Sequence, residues 1–585
     1  IDMASAVEYV PAGKTFTDEN DNIVSRGFSG VFDGAGHTIS NLKIEKIIKS
    51  GVAYVGLFGE TYMANIMNLS LENIDYTAES YTDADTVGVY FGGVAGYAGN
   101  TNFTKVTVSG VLNTSMQPSN SAYVGGIAGG YNASADGEHS YITYIENCYA
   151  DIETVIDEEG SLESAAVGGI VGYVINYSST VAVINSRSDG RIYGGQFTGG
   201  IAGSVSNYVS IINCVSGAEV TATSKEVSYA GGIVGSMTGD SVIMDSFSTG
   251  KIKAPKAESN TYISYAGGIV GYCSSDDYYL YYEAGGAVVN CYYSGTVTCL
   301  GGRKSELGVS KSADEITDTF LKETLKWQPE SWIAEGADSR PSDKLISEVK
   351  TDFAVTLMSK DVVYDTLDKA FTDALGYAFV GEPETPANSA PDVFWNWELA
   401  ENVNYRFYIP VVKDMTLTAR WQDVSDIADT YYCSAIEGYS VTQEGSGTLA
   451  LNADGTLQWI TSNVMTGTYK YDGQHIIMNL HSFSIGDVSG DLVDGRATFS
   501  IEYGMSYIVD YTFEPYAPDI YGEYISSAGD LLTFSGKKSV SFESSSVAGG
   551  AYITGDYAVT GSSIALSGNK LANYFSDMSV TINGN

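Results

Sequence analysis

The histidines are the side chains best suited to acid–base chemistry in this chain, and there are four of them. They are His37, His139, His475 and His481. No pair forms the H-E-x-x-H pattern, in which two histidines hold zinc beside a glutamate base. The sequence also lacks the G-x-S-x-G elbow of a serine nucleophile and the G-x-x-x-x-G-K-S/T loop that binds phosphate. His475 and His481 could share a metal on one strand face, but a solvated face is the favoured interpretation.

Carboxylates are far more numerous, at 71 Asp and Glu residues. Sugar hydrolysis needs two of them about 5 to 9.5 Å apart in a cleft. The repeats described below carry no column of Asp or Glu, and the basic residues that a lyase would use are scattered. Acidic stretches at 17–22 and 486–495 lack EF-hand spacing and read as turns. We therefore predict no catalytic residue, no metal site and no cofactor.

The six cysteines also lack metal-binding spacing, because no C-x-x-C pair occurs among them. They are Cys148, Cys214, Cys273, Cys291, Cys299 and Cys433. Three of them occupy the same place in a repeat, in IENCYA, IINCVS and VVNCYY. We expect buried free thiols that fill small spaces in a core. A bond between Cys291 and Cys299 stays open.

Composition indicates a folded, β-rich chain with several domains. The 585 residues exceed one ordinary domain, so three or more are expected. Glycine is abundant at 66 residues, and the 44 tyrosines suit half-exposed strands. The net charge of −41 disfavours nucleic acid and anionic membranes as partners. No run of about 20 apolar residues occurs, so we expect no membrane insertion, and the start IDMASAVEYV does not resemble a signal peptide.

A glycine-rich heptamer repeats seven times in the first half of the chain. The copies resemble YVGGIAG and end at Gly59, Gly96, Gly129, Gly172, Gly203, Gly235 and Gly271. Their intervals of 37, 33, 43, 31, 32 and 36 residues indicate stacked supersecondary units. Each copy is too short for a helix and reads as a strand with one inward apolar residue, such as Ile127 or Ile233.

A second element follows each heptamer and places an asparagine at a turn. The expected ladder consists of Asn68, Asn147, Asn185, Asn213 and Asn290, with Asp245 replacing one amide. The second copy, FTKVTVSGVL, lacks this asparagine. Two or three strands per unit, stacked in parallel, predict a right-handed β-helix over residues 1–310, so the fold class is mostly β.

These motifs resemble a known family. FSGVFDGAGHTISNLKI, followed by YVGLFGETYMANIMNLSLENI, is similar to the entry segment of GLUG-motif bacterial surface proteins. The resemblance covers about residues 25 to 335 and implies a β-helix in a cell-surface setting, without implying a ligand. GVSKSADEITDTFLKETLKW resembles the helix that closes such an array. We therefore predict a helical cap and linker over 311–349, with Leu321 and Leu325 facing the end of the solenoid.

Residues 350–422 resemble a different surface module. Their close, from VFWNWELAENV to MTLTARW, is similar to the Listeria–Bacteroides repeat, also called the internalin B-repeat, which implies a small β-grasp-like domain. Trp395, Trp397 and Trp421 could stack on sugars, but core packing is the favoured interpretation. Two related antiparallel β modules follow at 423–515 and 516–585, indicated by alternating apolar residues and DG, GK and TG turns.

Insertions in the repeats give the candidate binding site. The segment between heptamer and ladder residue lengthens to 18 residues before Asn147 and to 19 before Asn290. Insertions on one face of a repeat protein commonly bind partners. The second insertion carries Tyr278, Tyr279, Tyr281 and Tyr282, which we predict to contact glycans or host and other extracellular proteins. A cover for the end of the solenoid is the alternative role for these tyrosines.

The sequence thus predicts a non-catalytic, extracellular adhesin or scaffold, located on the bacterial surface or secreted. A glycan-acting hydrolase or lyase on the β-helix is the first alternative. An ancillary region of a larger secreted enzyme is the second. The sequence does not predict an oligomeric state.

Overall fold

A computed structural model describes most of the chain. The described ranges are 1–5, 9–17, 23–81, 87–117, 120–134, 142–156, 164–176, 179–258, 263–273, 286–350, 353–367, 370–371, 378–379, 382–401, 403–438, 441–443, 447–460, 464–480, 487–493, 495–502, 508–515, 522–525, 531–535, 539–544, 551–560, 563–567 and 580–581. The fold is mostly β, with parallel sheets and an antiparallel barrel. Two compact units divide the chain, one with 1–278, 282–383 and 398–418, the other with the remainder.

Three parallel sheets, together called the repeat stack, occupy residues 31–310. Each repeat adds a layer, or rung, to all three. The first sheet contains Val52–Val55, Gly88–Gly92, Ser121–Gly125, Ser164–Gly168, Phe197–Gly199, Tyr229–Gly231, Tyr265–Gly267 and Arg303–Ser305. The second contains Phe58–Tyr62, Ala95–Gly99, Ala128–Ala133, Val171–Asn176, Ala202–Ser206, Val234–Thr238 and Val270–Cys273.

The third sheet receives the longest strands of the repeats, most of them interrupted once by a turn. Its members are Val31–Ser40, Lys43–Ile47, Asn65–Glu79, Asn102–Ser115, Ile142–Glu146, Tyr149–Ile156, Thr180–Ile184, Arg187–Tyr193, Val209–Ile212, Val215–Ser216, Glu219–Thr221, Val242–Met244, Phe247–Ser248, Ile252–Ala254, Ala287–Val289, Tyr292–Tyr293, Val297–Cys299 and Val309–Ser310. Ahead of them, Lys14–Thr17 and Ile23–Arg26 form an antiparallel pair. One continuous apolar core fills the stack.

The heptamer forms a corner between two sheets, which corrects the prediction of a single strand. In YVGGIAG, Ser121–Gly125 ends in the first sheet and Ala128–Ala133 begins the second. Ile127 lies at the corner and is fully buried, as predicted. A Cβ on Gly126 would stand 2.3 Å from the carbonyl oxygen of Gly169, so only glycine fits this turn.

The predicted ladder positions form a second corner, here called the turn column. Its seven residues are Asn68, Lys105, Asn147, Asn185, Asn213, Asp245 and Asn290, and all have left-handed backbone with φ between 46° and 55°. Asparagine and aspartate tolerate this conformation better than most side chains. The second repeat, which lacks the asparagine, places Lys105 there instead.

Residues 311–350 run along the flank of the repeat stack and are called the strap. The strap contains Ala313–Glu315, Asp318–Glu323, Pro329–Ser331, Trp332–Ile333, Gly336–Asp338, Arg340–Pro341 and Ile346–Val349, of which Asp318–Glu323 and Ile346–Val349 are α-helical. Leu321 and Leu325 are buried with Val215 and Phe247 of the third sheet. The expectation that these leucines face the end of the solenoid is therefore wrong. No helix within the described ranges is long and apolar enough to cross a membrane.

Residues 350–422 contribute further strands. They are Val355–Ser359, Val362–Leu367, Ala370–Phe371, Ala378–Phe379, Asp392–Ala400, Val403–Asn404 and Met415–Asp423. Val355–Ser359 pairs antiparallel with Val362–Leu367 and parallel with the start of Met415–Asp423. Trp395 and Trp397 are each 4% exposed. Their predicted core packing is confirmed, so they offer no open face to a sugar.

An antiparallel barrel follows, in the region predicted as the first C-terminal module. Its strands are Thr430–Gly438, Val441–Gln443, Thr448–Leu451, Thr456–Ile460, Val464–Tyr471, His475–Leu480, Asp487–Val493, Arg496–Glu502 and Ile508–Pro515. The last strand pairs with the first and closes the barrel. A six-stranded antiparallel sheet comes next, formed by Gly522–Ile525, Leu531–Ser535, Ser539–Ser544, Ala551–Thr560, Ser563–Ser567 and Val580–Thr581.

Candidate functional site

The predicted binding tyrosines, Tyr278, Tyr279, Tyr281 and Tyr282, lie outside the described residues. His139 and His481 do as well. His475 is described, and its Nδ1 lies 2.9 Å from Asp472 Oδ2 in the barrel. Among described residues, no group of three His, Cys, Asp or Glu side chains is arranged to hold a metal ion.

A row of outward-facing aromatic rings follows the corner between the first and second sheets. We call it the tyrosine face. Its first cluster is Tyr54, Tyr90, Tyr97, Tyr123 and Tyr173, all partly exposed. The ring centroids of Tyr90 and Tyr123 are 4.8 Å apart in stacked geometry. Tyr97 meets Tyr90 edge-on at 5.1 Å, so the two sheets contribute to one surface.

The second cluster of the tyrosine face repeats this pattern further along the stack. It consists of Phe197, Tyr229, Tyr265 and Tyr272. Phe197 and Tyr229 are stacked at 5.4 Å, and Tyr272 meets Tyr265 at 5.2 Å and 62°. Phe197, Tyr229 and Tyr265 are partners in neighbouring parallel strands, so one aromatic ring lies above the next on successive rungs. The stacked rings cover part of one another's faces, and each residue remains partly exposed.

The middle of the tyrosine face is uncharged, while Glu60, the strand partner of Tyr97, and Arg303, the strand partner of Tyr265, place one charge at each end. From Gly88 to Cys273, neither of its two sheets contains a charged residue in any strand. Burial, followed by repulsion from neighbouring phenols, raises the pKa of Tyr90, and burial raises the pKa of Tyr229. These phenols therefore stay protonated and can donate hydrogen bonds at neutral pH.

The strap contacts the turn column on successive rungs, beginning near the end of the stack. Asn290 donates from Nδ2 to the carbonyl oxygen of Thr324 at 3.3 Å. On the next rung back, Trp327 Nε1 donates to the carbonyl oxygen of Asp245 at 2.9 Å, and the Trp327 ring stacks on Trp332 at 4.1 Å. Both tryptophans are at most 5% exposed. The strap thus begins with a buried aromatic anchor.

The strap then continues toward earlier rungs, opposite to the direction in which the repeats follow one another. Trp332 Nε1 donates to Asn185 Oδ1 at 3.1 Å. Asn147 donates to the carbonyl oxygen of Lys344 at 2.6 Å. At the far end, Lys105 Nζ lies 3.0 Å from Glu348 Oε2. On the rung of Asn213, Val215 packs against the buried apolar side chains of the strap. The strap therefore touches six consecutive rungs, a span of about 24 Å.

A buried ion pair joins another segment of the same unit to the turn column. Lys413 Nζ pairs with the carboxylate of Asp245, whose side chain is fully buried. Arg406 also pairs with Asp240, at 3.2 Å, and the Tyr408 ring meets Tyr208 edge-on at 5.2 Å. The one carboxylate in the turn column therefore faces the Lys413 ammonium group, whose side chain is 14% exposed, which explains why this rung has Asp and not Asn.

One pair of carboxylates does occupy neighbouring rungs, although the sequence showed no such column. Asp151 and Asp189 are partners in parallel register. Burial, together with the Asp189 carboxylate, raises the pKa of Asp151 against the opposing charge of Arg187. Arg187 holds Asp189 through two bonds, Nε–Oδ2 at 2.6 Å and Nη2–Oδ1 at 2.7 Å. The same guanidinium donates to the strap carbonyl of Ser339 at 2.9 Å, so it also has a structural role.

The repeated cysteines form a buried column, as predicted. Cys148, Cys214 and Cys291 are free thiols, at most 2% exposed. Each sulfur lies near a carbonyl oxygen of the preceding rung, for example Cys214 Sγ and Val183 O at 3.4 Å. Burial raises the pKa of Cys148 and of Cys214 to about 12. Cys299 is also free, so the open alternative of a bond to Cys291 is not formed.

Comparisons with known proteins show limited similarity. No family model matches it. An 85-residue stretch is 41% identical to halomucin of Haloquadratum walsbyi, which is 14% of this chain and 1% of halomucin's length. A solved structure of a Bacteroides ovatus protein, designated a candidate immunoglobulin A1 protease, aligns with 19% identity over 59% of this chain and 84% of the other. Its TM-score of 0.32 is too low to carry an argument.

Proposed function

We propose that this protein is a non-catalytic extracellular scaffold, with the repeat stack as a right-handed β-helix of GLUG type acting as a stalk. The observation that carries the proposal is the strap. In a stack of repeats, each unit contacts only its neighbours, so the units can separate one at a time. The strap contacts six rungs, five of them through polar bonds, and therefore couples their separation. A chain built in this way suits a load-bearing position between a surface and a presented domain.

The surface setting rests on the resemblance to GLUG-motif proteins and to the internalin B-repeat. The acidic charge of the chain agrees with an exposed, soluble stalk. Antibody raised against the 423–515 barrel should label intact cells of the source organism. Labelling that requires permeabilised cells would contradict the extracellular setting.

Single-molecule pulling on the complete chain tests the scaffold role. Held by its two ends, the native protein should release the rungs from Lys105 to Asn290 in one step. A variant with Trp327→Ala and Trp332→Ala, which removes the aromatic anchor of the strap, should release them repeat by repeat at lower force. Equal stepwise release in both proteins would refute a load-bearing strap. A matched control is Ile333→Ala, in the same strand but 43% exposed.

The adhesin function belongs to the same proposal and uses the inserted loop. Changing Tyr278, Tyr279, Tyr281 and Tyr282 to serine should abolish binding to at least one glycan or host glycoprotein that the native protein binds on an array. Pulling behaviour should be unaffected, because the strap residues are unchanged. Binding that survives the substitutions would remove the loop from the proposal while leaving the stalk intact.

The Asp151–Asp189 pair supports a second candidate, a glycan hydrolase. Neighbouring carboxyl groups with one raised pKa fit an acid and a base or nucleophile. Against this, both oxygens of Asp189 are bonded to Arg187. The assay measures release of reducing sugar from polysaccharides. Activity that is lost in a folded Asp151→Asn variant would favour the hydrolase and contradict the non-catalytic scaffold.

A further inference from the structure

The geometry of the tyrosine face points to a binding surface for neutral polysaccharide, which goes beyond the scaffold role and is separate from the loop at 278–282. We propose that a chain of uncharged sugars lies along the corner between the first and second sheets and bonds to the outward phenol groups.

The first support is the kind of surface that the two sheets present. In Ser121–Gly125 the side chains of Ala122 and Val124 are buried, while Tyr123 points outward and is partly exposed. The pattern recurs on neighbouring rungs, so the phenols stand in a row with ring centroids 4.8 to 5.9 Å apart within each cluster. Tyrosine offers an apolar edge and a hydroxyl group together, which matches the alternating C–H and O–H groups of a sugar.

The second support is the charge. The chain has a net charge of −41, yet the strands of this face carry no charged residue between Gly88 and Cys273, and the charges of Glu60 and Arg303 lie only at its two ends. In contrast, the third sheet carries Asp151, Glu153, Asp189 and Arg191 at its surface. A neutral polysaccharide meets no electrostatic repulsion along these strands. An acidic polysaccharide is repelled by the negative charge of the surrounding chain.

The third support excludes an extended peptide as the occupant of the face. A peptide that adds to a sheet needs an edge with unpaired backbone groups. Each strand of the first sheet from Gly88–Gly92 to Tyr265–Gly267 is paired on both sides. Hydroxyl groups are therefore the bonding groups that the face presents.

The test uses the complete protein and soluble polysaccharides as probes. Calorimetry and affinity electrophoresis would compare dextran, mannan and a soluble β-glucan with acidic polygalacturonate. We expect binding to at least one neutral chain and none to polygalacturonate. Binding to polygalacturonate alone, or to none of the probes, would overturn the proposal.

Phenylalanine substitutions separate a binding role from a packing role. The triple variant Tyr90→Phe, Tyr123→Phe and Tyr229→Phe keeps the stacked rings and removes only hydroxyl groups. We expect at least a tenfold rise in Kd and an unchanged melting temperature. Tyr81→Phe with Tyr364→Phe, at positions 70% and 44% exposed on other elements, is the matched control.

The outcomes distinguish this proposal from the scaffold and from the loop. Unchanged affinity in the triple variant would overturn the proposal, and loss of affinity in the Tyr81 and Tyr364 control would do so as well. The pulling experiment with the strap variant is unaffected by either result. The sugar would belong to the loop if changing residues 278–282 abolished binding while the triple variant bound fully. That result would overturn the proposal that the tyrosine face binds it.

Discussion

At the scale of single residues, departures from the repeat pattern mark its contacts with other segments. The turn column holds asparagine on most rungs because left-handed backbone favours it. Lys105 occurs where Glu348 lies opposite, and Asp245 occurs where Lys413 lies opposite. Each exception is explained by a charge on a segment distant in sequence.

Asp245→Asn should strongly destabilise the unit that contains the repeat stack. Asparagine keeps the shape and backbone of the other rungs but leaves the Lys413 ammonium, which is largely shielded from water, without a counter-charge. We expect a loss of about 3 to 5 kcal/mol in the free energy of unfolding, measured by denaturant titration. The double variant with Lys413→Met should recover most of the loss. Equal stability of the native protein and Asp245→Asn would contradict a buried, charged pair.

The buried cysteine column should resist thiol reagents in the native protein. With pKa values of about 12, roughly one in ten thousand Cys148 and Cys214 side chains is ionised at pH 8. Because only the thiolate reacts, we expect labelling of these two residues to require denaturant, as read by peptide mass spectrometry. The partly exposed Cys273 and Cys299 should be labelled first. Rapid native labelling of Cys214 would show that the core opens readily.

At the scale of elements, the strap and the glycine corners hold the repeats together. Trp332→Ala removes a buried ring and its bond to Asn185, so we expect a loss of about 3 to 5 kcal/mol. Trypsin should then cut faster after Lys344, since the bond after Arg340 leads into Pro341 and resists trypsin. Ile333→Ala, on the exposed side of the same strand, should change stability by about 0.5 kcal/mol or less. Equal effects of the two substitutions would argue against anchoring by Trp332.

The heptamer corners predict an asymmetry between two glycines. A Cβ at Gly169 would stand 2.1 Å from the carbonyl oxygen of Gly200, whereas at Gly88 the nearest atom is 3.5 Å away. Gly169→Ala should therefore cost about 1 to 3 kcal/mol or more. Gly88→Ala should be neutral or stabilise by about 0.4 to 1 kcal/mol. Thermal unfolding of both variants measures the difference, and similar melting temperatures would refute the packing argument.

The sequence predicted some of these elements because local chemistry dictates them. Left-handed backbone favours asparagine, which holds five of the seven positions, so most of the turn column was predicted. The corner in the heptamer was missed because alternating glycine and apolar residues suit a strand equally well. The spacing of Leu321 and Leu325 indicated a buried face without indicating which surface buries it. Lys105 and Asp245 were the sequence signals of contact with other segments, because each interrupts the row of asparagines where a residue of opposite charge lies against it.

At the scale of the whole molecule, the net charge of −41 is the dominant long-range effect. Self-repulsion of like charges destabilises a compact state, and salt screens it. Raising NaCl from 10 to 150 mM shortens the screening length from about 30 to about 8 Å. We expect the melting temperature to rise, with KCl giving the same increase and an equal osmolality of sucrose giving less. A fall in melting temperature with salt would show that attractive ion pairs outweigh the repulsion.

The strap also limits how the protein can evolve. Repeat proteins commonly gain or lose whole units by duplication and deletion. Here one segment of fixed length meets Lys105 at one end and Asn290 at the other. Deleting one repeat between them would shift every later partner by a rung, so that Trp332 and Glu348 would no longer meet Asn185 and Lys105 together. The number of units in this part of the chain is therefore inherited as a fixed count, while units before Lys105 are free to vary.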